Sequence, residues 1–296
     1  MITLVFLSFH SEHHIKRLVD SIDQQYQIII IENSSNKLLK KEIEEKYKNV
    51  HVEICKENLG FSKGMNLGIK LSKTPYVFLN PADINISNET INSLSEIIKK
   101  FNDFGMLSPV YKDKSIHSNY FIWSDKGPNV NVNTETNNYL LKEVDFIDGT
   151  IIINKNIVSN TIFDENMFIY FETKDLCKRL IEKNIKLYVC DSLTFDHYGG
   201  QSHDKKFNFE ASLSRCWHYN WSKFYFNKKH YGYLHALRKS LPNIITSIKE
   251  YIKNSILFYK EKSKINKELH LAEIKGIIAS ALNMKSNYRP YKKNEL

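Results

Sequence analysis

Two features that the sequence lacks narrow the class of protein. The four cysteines, at positions 55, 177, 190 and 216, form no CxxC or Cys/His pattern, which argues against a structural zinc site and a disulfide scaffold. No apolar run approaches the roughly 20 residues that cross a bilayer, and the apolar start, MITLVFLSFH, has neither a basic leader nor a small-residue cleavage site. We therefore predict a globular protein in a reducing, cytoplasmic setting, with a buried strand at its start.

Positive charge is concentrated in the C-terminal part of the chain. The formal net charge is +9 over 296 residues. From Lys223 onward the chain has 16 Lys and Arg and 5 Asp and Glu, a formal charge of +11. The preceding residues therefore carry −2. This distribution favours contact with an anionic surface or a lipid-linked substrate over contact with nucleic acid.

The first half of the chain alternates apolar strands with amphipathic helices. Continuous apolar runs of strand length are typical of parallel strands that are buried on both faces. The predicted strands lie at 2–8, 27–31, 50–54 and 75–79, and those at 2–8 and 27–31 are apolar runs of this kind. Segments with helical spacing of apolar residues separate them, at 13–22, 38–47 and 64–71. The pattern predicts an α/β protein with a mostly parallel sheet flanked by helices.

The second half predicts further strands, a long loop region and terminal helices. Residues 111–138, rich in Asn and Lys, are assigned to loops, including a flap over a binding site. The other predicted elements are helices at 89–99 (capped by Ser87) and 172–183, with strands at 105–110, 144–153 and 185–190. Terminal helices are predicted at 209–229, from Ser240 past Tyr259, and at 268–282.

Three glycines and one carboxylate are the first candidate site residues. Gly60, Gly64 and Gly68 lie at the start of a predicted helix, where small residues let backbone amides approach a phosphate. Close packing of the helix on the sheet explains them equally well. Asp83 follows a strand in the sequence NPAD, a position from which a carboxylate can hold Mg²⁺ or Mn²⁺. The alternative for a single Asp is a turn or cap.

Two acids and one histidine are further candidates. Glu172 and Asp175 lie three residues apart at a predicted helix start, among aromatic residues, so they project from nearly the same face. One of them can serve as a general base, or both can simply favour the helix N-terminus. His197 precedes Tyr198 and two glycines and can bind a metal or a diphosphate.

The predicted helix from Ser240 carries an apolar stripe beside lysines. The stripe consists of Ile244, Ile245, Ile248, Ile252, Ile256 and Tyr259. It can lie on a membrane surface or pack on the rest of the protein. The sequence favours packing.

Taken in order, four segments resemble the family 2 glycosyltransferases with the GT-A fold, especially rhamnosyltransferase-like members that build bacterial surface polysaccharides. The segments are NLGFSKGMNLGI with YVFLNPADI, VDFIDGTIIINKN, FDENMFIYFETKDLCKRL and FDHYGGQS. The resemblance covers 2–232. It implies a Rossmann-like GT-A catalytic domain at 1–222, with a basic helical extension at 223–296.

The resemblance also implies residue roles. The implied nucleotide-sugar-binding residues are Ser8, Glu32, Asn58, Gly64, Asn66, Asp83, Asp148 and His197. Asp83 lies in the metal-binding region, with His197 as a second ligand of Mg²⁺ or Mn²⁺, and Glu172 supplies the base, with Asp175 as competitor. Two departures from the family pattern stand out: Ala82 intervenes before Asp83, and Thr173 follows Glu172 where the family has a second acid.

The activity implied is inverting transfer of a sugar from a nucleotide-diphosphate sugar to a hydroxyl of a lipid-linked glycan. The enzyme would act at the inner face of the cell membrane, in contact with anionic lipid. One alternative is a metal-independent enzyme of the same fold. Another is a nucleotidyltransferase, which would be expected to carry a basic Gly-rich loop where FHSE follows the first strand. A third is an inactive carbohydrate-binding or assembly protein.

Overall fold

A computed structural model describes residues 2–112, 118–127, 129–158, 162–197, 208–257 and 259–286. The strands in these ranges are β1 Ile2–Ser8, β2 Gln27–Glu32, β3 Val50–Ile54, β4 Tyr76–Pro81, β5 Ile84–Asn85, β6 Met106–Tyr111, β7 Tyr120–Phe121, β8 Val130–Asn133, β9 Asn138–Val144, β10 Phe146–Ile147, β11 Ile151–Asn154 and β12 Leu187–His197. The helices are α1 Glu12–Ser21, α2 Lys37–Lys46, α3 Gly60–Leu71, α4 Asn88–Lys100, α5 Glu172–Ile181, α6 Asn208–Tyr231, α7 Tyr233–Ile256 and α8 Glu261–Ala281.

Within the described ranges, a ten-stranded sheet has the order β3-β2-β1-β4-β11-β6-β12-β9-β8, with β5 paired to β12. The strands β3, β2, β1 and β4 are parallel neighbours. β11 runs antiparallel between β4 and β6, and β6 is parallel to β12. β7 and β10 form a separate antiparallel pair. The predicted α/β class with a mostly parallel sheet is confirmed.

Two apolar cores lie on the two faces of this sheet. Alternate residues of β2 point into different cores, with Ile28 and Ile30 in one and Ile29 and Ile31 in the other. The first core also holds the apolar faces of α1, α2 and α4, and the second holds those of α3 and α5. Burial on both faces explains why these strands are continuous apolar runs.

The prediction of loops over 111–138 was wrong in part. β7, β8 and the first residue of β9 lie inside this range. The alternation Val130-Asn131-Val132-Asn133 is too short to stand out from the sequence, and its pairing with β9 stabilises it. The single strand predicted at 144–153 is three strands, because the chain turns at Asp145 and again at Gly149, whose φ is +82°.

The chain divides into two compact units. The first comprises Met1–Phe163 and Thr173–His203, and the second comprises Asp164–Glu172 and Asp204–Leu296. Helix α6 runs through the boundary predicted at 222, and the assignment of catalysis to 1–222 stays a prediction. In the second unit, α6 and α8 cross closely, because a side chain at Gly276 would meet the backbone of Trp217.

The terminal helices differ from their predicted bounds. α7 begins at Tyr233, after Gly232 with φ +89°, so Pro242 lies inside the helix and not at its start. α7 ends at Ile256, before Tyr259, and α8 begins at Glu261, seven residues earlier than predicted. Among the described residues, no helix combines the length and the apolarity that a membrane span requires.

The apolar stripe of α7 faces outward. Ser240, Ser247 and Asn254 are buried, on the side of α7 that packs in the second unit. The residues of the stripe that are more than two-fifths exposed are Ile245, Ile248, Ile252, Ile256 and, beyond the helix, Tyr259. The prediction that this stripe packs on the protein was therefore wrong for all but Ile244, which contacts a buried cluster. The spacing of the apolar residues identified the apolar face of α7, but it did not show whether the rest of the protein covers that face.

Candidate functional site

Strands that run in one direction bring most predicted site residues to one edge of the sheet. β1, β2 and β4 end side by side, with Ser8 opposite Glu32 and Leu7 opposite Pro81. β6 and β12 run in the same direction as β4, because antiparallel β11 separates β4 from β6. Ligands of open α/β sheets bind beyond the carboxyl ends of the parallel strands. This edge is therefore the candidate site.

Asp83 lies in the tight connection between β4 and β5. The amide group of Asn80, which is fully buried, donates to the carbonyl oxygens of Pro81 (3.1 Å) and Ile84 (3.0 Å) and closes the turn. Ala82, the residue that departs from the family pattern, is buried and packs in the core, whereas Asp83 is half-buried. The turn thus points its alanine inward and leaves the carboxylate partly exposed.

The end of β12 lies beside this turn. Backbone pairing sets His197 opposite Ile84 and Asp196 opposite Asn85. The structure therefore brings the chain at His197 next to the Asp83 turn. The imidazole of His197 and the residues at 198–200 lie outside the described part of the structure, so a role of His197 as ligand of a metal or diphosphate stays a prediction.

The turn at Asp148 and Gly149 also meets the Asp83 turn. Gly149 has φ +82°, and a Cβ built on it would lie 3.2 Å from Cζ of Phe195 and 3.5 Å from Cδ1 of Ile84. The exposed side chain of Asp148 accepts a hydrogen bond from the Gly149 N–H at 2.8 Å. A residue without a side chain is required here, because the turn lies against both strands.

Tyr111, the last residue of β6, lies near enough to Asp148 and Asp83 for both carboxylates to act on the pKa of its hydroxyl. Burial raises the pKa of the Tyr111 hydroxyl to about 12, and the negative charges of Asp148 and then Asp83 add to the effect. Its ring packs on Phe195 with centroids 4.6 Å apart. Sequence reasoning missed Tyr111, because it was assigned to a loop. The available signal was its position directly after an apolar strand that ends at this edge.

Glu32 and Ser8 shape the part of the edge near β1 and β2. The fully buried carboxylate of Glu32 accepts hydrogen bonds from the N–H groups of Ser34 (3.1 Å) and Asn36 (2.6 Å) and from the Ser34 hydroxyl. The hydroxyl of Ser8 lies 3.3 Å from that of Ser11. Both residues hold the loops that follow their strands, and direct contact with a nucleotide stays a prediction for each.

Asn58 helps to start helix α3. Its side-chain oxygen accepts from the N–H of Gly60 at 2.9 Å, and Gly60 has φ +76°. Asn33, which sequence reasoning did not select as a site residue, holds the same bend: it donates to the Gly60 carbonyl at 3.2 Å and accepts from the Leu59 N–H at 3.3 Å. The signal was again a polar residue directly after a strand.

Gly64 and Asn66 have packing and bridging contacts. A Cβ at Gly64 would lie 2.5 Å from Cδ1 of Leu7, so the helix approaches β1 closely at this point. The amide of Asn66 pairs with the backbone of Phe163, donating at 2.9 Å and accepting at 3.1 Å. The packing alternative therefore accounts for Gly64, and its proximity to a nucleotide is untested.

The two candidate bases have different surroundings. Asp175 is fully buried, and its oxygen accepts from Nε of Arg179 at 2.7 Å. Glu172, the first residue of α5, is also buried and follows Tyr170 and Phe171, whose φ angles are +70° and +66°. Two successive aromatic residues in the left-handed region cost about 1–3 kcal/mol each, and such strain is concentrated at functional sites.

Within the described ranges, no group of three or more His, Cys, Asp and Glu side chains is arranged to hold a metal ion. The two carboxylates that act on Tyr111, Asp83 and Asp148, are the oxygen ligands that this edge offers.

Comparison with known families shows to which family the chain belongs. The sequence profile described as "Glycosyl transferase family 2" matches residues 3–161, more than half of the chain and all within the first unit. The chain belongs to glycosyl transferase family 2. It is therefore a glycosyltransferase, as the resemblance implied.

Two curated relatives agree with this membership. The chain is 24% identical to the low-salt glycan biosynthesis hexosyltransferase Agl10 of Haloferax volcanii over 66% of each protein, so it spans about two thirds of that relative. It is 25% identical to the rhamnosyltransferase WbbL of Escherichia coli K12, over 74% of this chain and 89% of WbbL.

Solved structures share the fold. The mannosyltransferase PcManGT of Pyrobaculum calidifontis, in complex with GDP-Man and Mn²⁺, superposes with a TM-score of 0.55 at 9% identity, over 95% of this chain and 87% of PcManGT. S. aureus TarS gives a TM-score of 0.53 at 15% identity, over 95% and 89%. The predicted GT-A fold of this family 2 member is confirmed.

Proposed function

We propose that this glycosyltransferase binds a nucleotide-diphosphate sugar at the described sheet edge and transfers the sugar, with inversion, to a hydroxyl of a lipid-linked glycan in the synthesis of a bacterial surface polysaccharide. The observation that carries the proposal is the convergence of Asp83, Asp148 and Tyr111 beyond the strand ends. WbbL and PcManGT, the first a rhamnosyltransferase and the second holding GDP-Man, support a nucleotide-linked deoxyhexose or hexose as donor.

The reaction exchanges two bonds at the anomeric carbon of the donor. The acceptor oxygen forms its bond as the bond to the diphosphate oxygen breaks on the opposite face, and the nucleoside diphosphate leaves with the electron pair. The hydroxyl proton passes to a carboxylate base. We assign this role to Glu172, because the carboxylate of Asp175 is held by the guanidinium of Arg179.

The residues at the edge fit a divalent cation that is shared with the substrate. Asp83 and Asp148 would repel a diphosphate unless a cation lay between the negative charges. Mg²⁺ is usually held by one or two carboxylates together with substrate phosphates, not by a complete protein cage. Asp83, with His197 as second ligand, would hold Mg²⁺ or Mn²⁺. When bound, the metal neutralises the diphosphate leaving group.

A thermal-shift panel tests the donor site. UDP, GDP and dTDP, with CMP as the monophosphate comparison, are each added with Mn²⁺ or with chelator. A ligand at about 100 times its Kd stabilises the native state by ~2.7 kcal/mol, which raises Tm by about 5 °C or more in a chain of this size. We expect one diphosphate to give a metal-dependent shift that Asp83→Asn abolishes. The control Asp20→Asn, which removes a surface pair with Lys46, should leave it intact.

The other outcomes decide among the alternatives. An equal shift in chelator would favour the metal-independent enzyme. The absence of any shift would contradict the donor site and favour an inactive binding or assembly protein. Glu172→Gln should retain the nucleotide shift while abolishing transfer, and a variant that still transfers sugar would exclude Glu172 as the base.

We also propose that the exposed stripe of α7 rests on an anionic membrane surface, at the inner face of the cell membrane. The stripe is aliphatic, and Lys249 and Lys253 are exposed on the same helix. The segment from Lys223 carries the formal excess of +11. Each basic residue near an anionic leaflet contributes about 1 kcal/mol, whereas like charges at the seam would oppose pairing of two copies.

Vesicle flotation tests this surface. The protein should bind vesicles containing phosphatidylglycerol, bind phosphatidylcholine vesicles weakly, and dissociate at high salt because salt screens the charges. Ile245→Asp combined with Ile252→Asp should abolish binding, while Leu38→Asp, at a 73% exposed site of α2, should not. Unchanged flotation of the double variant would contradict the assignment. Loss of a dimer in light scattering, without vesicle binding by the wild type, would identify the stripe as an interface between copies.

A further inference from the structure

Three aromatic side chains of the first unit, two of them exposed and one half-buried, lie with their ring planes nearly parallel, and we name this group the aromatic platform. Phe121, Trp123 and Phe146 have ring centroids between 5.8 and 6.1 Å apart and ring planes inclined by 7 to 24°. Near-parallel rings at this separation are offset, so they leave parts of their faces open. Trp123 is 62% exposed and Phe121 is 46% exposed. Exposed apolar groups of this kind mark binding sites more often than isolated exposed residues do.

A buried carboxylate holds the platform in place. Asp145 is 5% exposed and accepts hydrogen bonds from the N–H groups of Trp123 (2.7 Å) and Ser124 (3.1 Å), from the Ser124 hydroxyl (3.0 Å), and from Nζ of Lys126 (2.6 Å). Burial would raise the pKa of Asp145, but these hydrogen bonds outweigh it and lower the pKa. The indole is thus presented on a backbone that is fixed before any ligand binds.

The platform is continuous with the candidate site. β7 pairs with β10, which sets Phe121 opposite Phe146. Phe146 lies two residues before Asp148, about 7 Å along an extended chain. The N–H of Asp148 donates to the carbonyl of Asn119 at 2.7 Å, so the same ribbon carries the platform and the carboxylate.

We propose that the aromatic platform binds a sugar ring of the acceptor glycan, an assignment that rests on the proposed function. One face of a pyranose presents C–H groups that match an aromatic face, and its rim presents hydroxyls that need polar partners. The Lys174 ammonium lies over the Trp123 ring, 5.7 Å from its centroid, and is a hydrogen-bond donor next to the platform. Trp123 is the central contact of this subsite.

Saturation-transfer NMR with simple glycosides tests the platform directly. The probes are methyl β-D-glucoside, methyl β-D-galactoside and methyl α-L-rhamnoside, each added to the wild-type protein. We expect saturation of at least one probe, strongest at the C–H groups of one ring face. Trp123→Ala should weaken binding about tenfold, which corresponds to about 1.4 kcal/mol. Trp123→Phe should retain most of the binding, and Leu38→Ala, at an exposed site of α2, should retain all of it.

The nucleotide panel is run on the same variants. Loss of glycoside contact in Trp123→Ala with an unchanged nucleotide response supports the platform. The assignment of the platform to sugar binding is overturned if no probe is saturated in the wild type or if Trp123→Ala binds the probes as well as the wild type. It is also overturned if this variant loses its nucleotide response. Loss of vesicle binding without loss of glycoside contact would overturn it in favour of a membrane contact. If the wild type responds to no nucleotide, the proposed function fails. The comparison of glycoside binding by wild type and Trp123→Ala still shows whether the aromatic platform binds a sugar ring.

Discussion

Substitution of Gly149 by alanine tests whether the convergence of strands at the candidate site depends on a residue without a side chain. Gly149 combines φ +82° with a close approach to Phe195. Gly232 has a similar φ of +89°, but a Cβ built there meets nothing within 4 Å. Gly232→Ala therefore reports the cost of a positive φ, at a ψ of 162°, without any new side-chain contact.

The expected magnitudes follow from these two terms. An alanine held at a positive φ costs about 1–3 kcal/mol, which is the whole effect expected for Gly232→Ala. At Gly149 the new methyl group would lie 3.2 Å from the Phe195 ring, and overpacking of this kind costs about 1–3 kcal/mol. We expect a total of about 2–6 kcal/mol for Gly149→Ala, and a correspondingly larger fall in Tm.

Calorimetry on both variants, followed by the nucleotide panel, separates stability from site geometry. Gly149→Ala should lose most of its nucleotide response at temperatures where it is still folded, because the turn that carries Asp148 is displaced. Gly232→Ala should respond like the wild type. Equal destabilisation of the two variants, together with a normal nucleotide response of Gly149→Ala, would refute the close packing of this turn as a determinant of the site.

Two further predictions concern α3 and Asp145. Gly64→Ala should lower the free energy of unfolding by less than about 1 kcal/mol, since the new methyl group meets the movable end of Leu7. Gly68→Ala should lower it by about 1–3 kcal/mol, because its methyl group meets the buried and β-branched Val5. Urea unfolding midpoints compare the two, and a reversed order would contradict the packing. The pKa of Asp145 is lowered below 3.8, so its contribution to stability is complete above that value and lost as the pH falls through the lower folded-state pKa. The protection of residues 123–126 against hydrogen exchange, measured relative to the intrinsic exchange rate at each pH, should fall on acidification in the wild type. A protection that does not change with pH would contradict the role of the carboxylate, while Asp145→Asn should be less protected at neutral pH.

The sequence predicted the parallel half of the fold well, because its strands are buried on both faces. The all-apolar run at Ile28–Ile31 has few alternatives to a central strand. Ser87 was also predicted correctly as a cap, and it accepts from the Thr90 N–H at 3.1 Å. The antiparallel part was harder, because β8 contains two apolar residues and depends on pairing with β9, which lies close in sequence but is not marked by a tight turn signal.

The candidate site was predictable in its location but not in its contacts. Parallel topology alone brings Ser8, Glu32 and Asp83 to one edge. It cannot tell that Glu32 turns inward onto its own loop, or that Ala82, next to Asp83, packs in the core. These outcomes depend on which side chain is buried at a turn, which local spacing does not determine.

The two exposed apolar surfaces differ in chemistry in a way that matches the two parts of a lipid-linked glycan. The aromatic platform of the first unit consists of near-parallel rings with a lysine ammonium over the Trp123 ring, which suits a sugar ring, while the α7 stripe of the second unit is aliphatic within the helix and accompanied by lysines, which suits anionic lipid. If both assignments hold, Trp123→Ala should impair transfer to free and lipid-linked acceptors alike. The double substitution at Ile245 and Ile252 should impair transfer only when the acceptor is embedded in a vesicle. A double variant that loses transfer to a free acceptor would mean that the stripe acts on the catalytic unit itself, since a membrane contact has no effect when no membrane is present.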